Sequence, residues 1–152
     1  KIAEERQDFE LVIIGTGLDY QLDVDYAKSL NFPEGIVHFI GEQSPKLVAE
    51  WMQQSDAFVL FSRFETFAIV LAEAMAVGIP IICSKTAGIA EYLPTECGVV
   101  VEVDDDVSFT EALRDMVAHH TKYSPEHIRK HGQQYTYQSV GKKLMDIYKS
   151  VL

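Results

Sequence analysis

The stretch Ser62-Arg63-Phe64-Glu65-Thr66-Phe67-Ala68-Ile69-Val70-Leu71-Ala72-Glu73-Ala74-Met75-Ala76-Val77-Gly78-Ile79-Pro80-Ile81-Ile82-Cys83 decides the fold. An apolar run, Ala57 to Phe61, leads into it, and a helix of small and apolar residues is expected from Phe67 to Val77. Gly78 and Pro80 stop that helix, and a second apolar run, Ile79 to Cys83, follows at once. Both runs are continuously apolar, which is the pattern of strands covered on both faces. Strand, helix, strand in this order describes one unit of a parallel sheet.

The same alternation extends in both directions. Further strands are expected at Phe9 to Ile14, Ile36 to Ile40 and Gly98 to Val101, each bounded by Gly, Pro, Asp or Ser. Helices are expected at Asp19 to Leu30 and Pro45 to Gln54, with a short one at Ala87 to Leu93. Ser44-Pro45 reads as an N-cap followed by a first-turn proline. After the last strand the pattern turns helical, over Val107 to His120, Ser124 to His131 and Ser139 to Val151. The fold class is therefore α/β: a Rossmann-like parallel sheet of about five or six strands flanked by helices, with extra C-terminal helices. Eight strand-helix units of a closed barrel would need more chain than 152 residues.

Composition fits one globular domain spanning residues 1–152. The chain is 47% hydrophobic and carries 13 Lys and Arg against 23 Asp and Glu, a net charge of −10. Its acid excess excludes a surface built to track nucleic-acid phosphates, which needs clustered Lys and Arg. No apolar run approaches the roughly 20 residues that span a bilayer. The first residues, Lys1-Ile2-Ala3-Glu4-Glu5-Arg6, lack a hydrophobic signal region, so a cytoplasmic setting is expected. Lys1 to Asp8 read as the tail of a helix that begins upstream, so the sequence is expected to be part of a longer chain. Cys83 and Cys97 have no metal or redox spacing and read as small core residues.

Several motifs suggest chemistry and are weakened by their context. Gly15-Thr16-Gly17 ends the first strand, but the third glycine of a dinucleotide fingerprint is replaced by Tyr20. That turn still stands where open α/β sheets place ligands. Asp23-Val24-Asp25 falls inside a helix, where its carboxylates point about 200° apart, so it does not read as a metal clamp. Asp104-Asp105-Asp106 precedes a helix and reads as capping. His127 and His131 have metalloprotease spacing, yet Ile128 stands where the general base belongs. No metal site is expected.

Glu65 and Glu73 differ from these. The helix between them begins at the carboxyl edge of the sheet, where free N–H groups and the positive dipole end suit a phosphate. Two carboxylates beside such a site repel phosphate and instead accept hydrogen bonds from sugar hydroxyls. Bonds to charged groups contribute roughly 1.5–3 kcal/mol each. Diphosphate in the middle, ribose at one end and a hexose at the other make a nucleotide sugar.

Glu65 and Glu73, followed by Ala74-Met75-Ala76-x-Gly78-x-Pro80-Ile81 and then Ala87-Gly88-x-x-Glu91, resemble the retaining glycosyltransferases of the GT-B fold, family 4 (group 1). Leu11 to Gly17 resembles that family's first strand and Gly-x-Gly turn, Val37-x-Phe39-x-Gly41 its next strand, and Ser55 to Val59 the strand before the glutamate loop. The resemblance covers nearly the whole chain and implies the C-terminal, donor-binding half of a two-domain enzyme. It implies retaining transfer of a hexose from a UDP-, GDP- or ADP-hexose to a hydroxyl acceptor, without metal or other cofactor, in settings such as polysaccharide biosynthesis. Glu65 takes the catalytic role at the donor hexose, and Glu73 accepts from the ribose diol. Thr66, Phe67, Ala68 and Ile69 lie against the diphosphate and sugar, Ile40, Gly41 and Glu42 border the base, and Gly15 and Gly17 floor the cleft. The expected partner is an N-terminal acceptor domain of the same chain, which would also carry any contact with the inner face of a membrane. Alone, the segment should be inactive. The competing reading is a stand-alone nucleotide or phosphosugar binding module.

Two departures from the family pattern stand out. Thr66-Phe67-Ala68 replaces its usual Gly-Phe-Gly, and the Arg and Lys that embrace the diphosphate are expected upstream of Lys1. Arg63 and Lys85 read as solvated loop residues rather than their substitutes.

Overall fold

A computed structural model describes residues 1–86 and 88–151. The chain forms two compact units, Lys1–Trp51 and Met52–Leu152.

The first unit holds α1 (Ile2–Glu5), β1 (Leu11–Ile14), α2 (Tyr20–Ser29), β2 (Val37–Gly41) and most of α3 (Pro45–Gln54). β1 and β2 pair in parallel, from Leu11 opposite Val37 to Ile14 opposite Gly41, with α2 as the crossover that parallel neighbours require. Ser44 Oγ accepts from the Leu47 amide at 3.4 Å and Pro45 opens α3, as the sequence predicts.

The second unit contains β3 (Phe58–Leu60), α4 (Ile69–Val77), β4 (Ile81–Ser84), β5 (Gly98–Val101), α5 (Asp106–His119), α6 (Pro125–Gly132) and α7 (Tyr137–Val151). The strands form a parallel sheet in the order β3-β4-β5. β4 is central and buried along its whole length, and its alternating side chains feed a core on each face. Ile82 packs with Val101, Ala112 and Met116, beside the stacked rings of Phe61 and Phe109. Leu71, Met75, Ile81, Cys83 and Ile128 are also fully buried. Asp105 caps α5 by accepting from the Ser108 amide at 3.0 Å, and Ser124 caps α6, so the aspartate run serves a helix start.

The α/β class and all five strands agree with the sequence reading, and among the described residues the strands are hydrogen-bonded as a parallel pair in the first unit and a parallel triple in the second; two helix readings are corrected. The helix expected from Phe67 begins at Ile69, because Ala68 adopts a left-handed conformation. The short helix expected at Ala87 to Leu93 is a 3₁₀ turn over Gly88–Tyr92, while Ala87 lies outside the described residues. No described helix is long and apolar enough to cross a membrane.

Cys83 and Cys97 are buried free thiols, as expected. Burial pushes both up to about 11, with Glu96 adding to the shift of Cys97. Unfolded thiols titrate near about 8.5, so between these values the folded chain holds protons that the unfolded chain releases. Stability is therefore expected to fall as pH rises through that window. A disulfide exchange reagent at mildly alkaline pH should titrate no thiol in the native chain and both in denaturing guanidinium.

Candidate functional site

The loop between β3 and α4 carries Glu65, and its conformation follows from a few contacts. Ser62 Oγ donates to Glu65 Oε1 at 2.9 Å, and the carboxylate is half-buried. Phe67 is half-exposed, with its ring edge-on to Tyr135 at 6.2 Å between centroids. Its carbonyl accepts from the Ile89 amide at 3.1 Å. Gly88 lies so close that a Cβ there would stand 2.4 Å from Phe67 Cα. The Gly88 of the sequence motif is thus the residue that lets the turn after β4 rest against the glutamate loop.

Ala68 then turns the chain at φ 55° and ψ 55° and leads into α4. A left-handed conformation costs a residue with a Cβ about 1–2 kcal/mol, which is why glycine suits such a position. Alanine has no side-chain acceptor, so α4 is uncapped. The Leu71 amide bonds back to the Ala68 carbonyl at 2.9 Å, and the amides of Ile69 and Val70 have no partner among the described residues. A helix end with free amides and a positive dipole end attracts an anion.

Beyond this turn, Ile69, Glu73 and Ala76 are exposed while Leu71, Ala72, Ala74 and Met75 are buried. Spacings of four and three residues put the exposed three on one line of the helix. Glu73 therefore lies on the solvent-facing line of a helix whose other side is buried. Thr66, Phe67, Ile69 and Glu73 all present accessible surface on the loop after β3 and the first turns of α4, while Ala68 is buried.

The nearby cations are already engaged. Arg63 Nε pairs with Asp104 at 2.7 Å, and Lys85 Nζ pairs with Glu102 at 3.0 Å. Both pairs are exposed, where such bridges are worth about 0–1 kcal/mol. A recess of about 190 Å³ beside the loop is lined by Phe61, Ser62, Arg63, Asp104 and Asp106. A larger one, about 470 Å³, is lined by Glu96, His127, Lys130, His131 and Gln134 and includes no residue from Glu65 to Glu73.

In the first unit, the Gly15 amide donates to the Gly41 carbonyl at 2.9 Å, bringing the ends of β1 and β2 together. Ile40, Gly41 and Glu42 continue from this point, and the Tyr20 ring meets Phe39 edge-on at 6.0 Å. Gly15 and Gly17 both face open space. The expected loop residues of each unit thus follow the carboxyl ends of that unit's own strands, while Glu73 lies in the second turn of α4. Sequence reasoning missed Ser62, Ser84 and Tyr135. All three act through contacts distant in sequence or through a bland residue type, which no local motif reveals.

The model of the family described as glycosyl transferases group 1 matches residues 1–135. The chain belongs to this family. Its fold is that of the C-terminal half of a GT-B glycosyltransferase. Over 99 residues it is 34% identical to N-acetyl-alpha-D-glucosaminyl L-malate synthase of Bacillus anthracis, covering 64% of this chain and 25% of that protein. Over 120 residues it is 28% identical to lipopolysaccharide 1,6-galactosyltransferase of Escherichia coli K12, covering 77% and 33%. The structure of the lipopolysaccharide outer core galactosyltransferase WaaB superposes with a TM-score of 0.84 at 26% identity, over 99% of this chain and 43% of that one. Anabaena HepE in complex with UDP gives 0.83 at 17% identity, over 98% and 43%, a likeness of fold. This group 1 chain therefore spans about a quarter to a third of the length of these curated relatives.

Proposed function

We propose that this group 1 chain is the donor-binding part of a retaining hexosyltransferase, and that its ligand is a nucleotide sugar. The observation that carries the reading is the uncapped start of α4, with Glu65 on the loop before it and Glu73 on its exposed line. Free amides take the diphosphate, Glu73 accepts from the ribose diol, and Glu65 accepts from hydroxyls of the hexose. The UDP bound by the fold relative HepE supports this class of ligand. By the sequence motif alone, Gly15, Gly17, Ile40, Gly41 and Glu42 are assigned to the cleft floor and the base. The single donor-binding domain proposed here, residues 1–152, works with an N-terminal acceptor domain of the same chain and does not transfer sugar without it.

In the proposed reaction the acceptor hydroxyl attacks the anomeric carbon from the face that the diphosphate leaves. The C–O bond to the diphosphate breaks, the acceptor oxygen bonds to the same face, and a departing phosphate oxygen takes the hydroxyl proton. Glu65 orients the hexose and stabilises positive charge at the reacting centre, while the α4 amides stabilise charge on the leaving group. The test is proton NMR of the first-formed product of the full-length protein with an α-linked nucleotide sugar. An α-linked product is expected, and a β-linked one overturns the retaining assignment.

A further inference from the structure

The geometry points to a positioning relay: we infer that the hydroxyl of Ser62 sets the carboxylate of Glu65, and that the buried hydroxyl of Ser84 holds Ser62 in place. The inference rests on the hexose-binding role proposed for Glu65. Glu65 sits on a loop outside any strand or helix, and its side chain has three rotatable bonds. The bond from Ser62 Oγ to Oε1, at 2.9 Å, is the one hydrogen bond to its carboxylate among the described residues. It fixes one oxygen and leaves Oε2 for a ligand.

Ser62 is itself clamped. The β3–β4 ladder ends with Leu60 opposite Cys83, and Ser84 is the next residue of β4. Ser84 is 1% exposed, and its Oγ donates to the Ser62 carbonyl at 2.5 Å. The Leu60 carbonyl lies 3.5 Å away, and one hydroxyl proton serves the nearer acceptor. The side chain thus continues the pairing of two strands past their last rung, where the glutamate loop departs. A buried hydroxyl is costly without a partner, and this contact satisfies it while securing the carbonyl before Glu65's own turn. The relay runs from the central strand of the sheet through Ser84 and Ser62 to Glu65.

Calorimetry with UDP, GDP and ADP, and with the glucose, galactose and N-acetylglucosamine conjugates of each, separates positioning from mere support. The proteins are the full-length wild type, Ser62→Ala, Ser62→Thr, Ser84→Ala, the Ser62→Ala/Ser84→Ala double variant, and Glu65→Gln as reference. Ser62→Ala is expected to lose about tenfold in affinity for the nucleotide sugar, the effect of one charge-assisted hydrogen bond, with the bare diphosphate unchanged. Ser62→Thr restores it. Ser84→Ala shows the same selective loss, and the double variant is no weaker than Ser62→Ala, because coupled groups are not additive. Equal losses for sugar nucleotide and bare diphosphate make the serines structural only and overturn the relay. Selective loss in Glu65→Gln with none in Ser62→Ala also overturns the relay and leaves the site reading intact. No binding by the full-length wild type to any of these ligands overturns the site reading itself.

Discussion

Glu65→Gln in the full-length protein is expected to lower kcat by about 10²–10³-fold, the cost of removing one preorganised electrostatic stabiliser. Glutamine keeps the shape of the side chain and still accepts from Ser62, so the loop is preserved. What it loses is the negative charge proposed to face the hexose as positive charge develops at the anomeric carbon. Affinity for the bare nucleoside diphosphate should stay within about twofold, since the diphosphate is assigned to the α4 amides, whose stabilisation of an anion does not draw on Glu65. Steady-state kinetics with saturating donor, paired with calorimetry, read the two quantities separately. A fall in diphosphate affinity as large as the fall in kcat would place Glu65 in general loop architecture instead.

Gly98→Ala is expected to destabilise the fold by more than about 4 kcal/mol, in the range reserved for strain and steric failure at special backbone positions. Gly98 opens β5 with φ 152°, and a Cβ there would stand 1.9 Å from the Ile81 carbonyl oxygen and 2.7 Å from its carbonyl carbon. Those atoms belong to the buried central strand, so nothing can rotate aside; β4 or β5 must move. Domains are stable by only about 5–15 kcal/mol, so such a loss removes much of the total. Gly141→Ala is the control. A Cβ there meets nothing within 4 Å, and the position lies in α7, where alanine is favoured over glycine by about 0.5–1 kcal/mol. Urea unfolding followed by circular dichroism distinguishes the two, and equal midpoints would contradict the close packing of β5 on β4.

The strands were legible because buried parallel strands are written as short apolar runs between breakers, and Ile81 to Cys83 shows this most plainly. The start of α4 was not, because Ala68 at positive φ carries no signal; a glycine in its place would have marked the turn. Glu73 is the one charged residue of an apolar helix, and its place on the exposed line cannot be read from a helix that is apolar on nearly every face. Gly88 belongs to a sequence motif whose physical reason is visible only in three dimensions, the backbone of Phe67 against it. The Ser84–Ser62 contact joins residues 22 positions apart, and serine is too common after a strand to announce it. The division of five strands into a pair and a triple was equally hidden, because apolar runs record burial but not which neighbour completes each ladder.

The central claim is that the exposed carboxylate of Glu73 recognises the ribose of a nucleotide at the start of α4. Calorimetry of UDP, GDP and ADP against the full-length wild type and its Glu73→Gln variant tests it, with the 2′-deoxy form of whichever nucleotide binds as the decisive ligand. The account predicts that Glu73→Gln weakens the ribonucleotide by about 1.5–3 kcal/mol, the worth of hydrogen bonds to a charged group. It also predicts a much smaller change for the deoxynucleotide, which has no vicinal diol to donate. Equal losses for the two nucleotides, or undiminished ribonucleotide binding by Glu73→Gln, would contradict it.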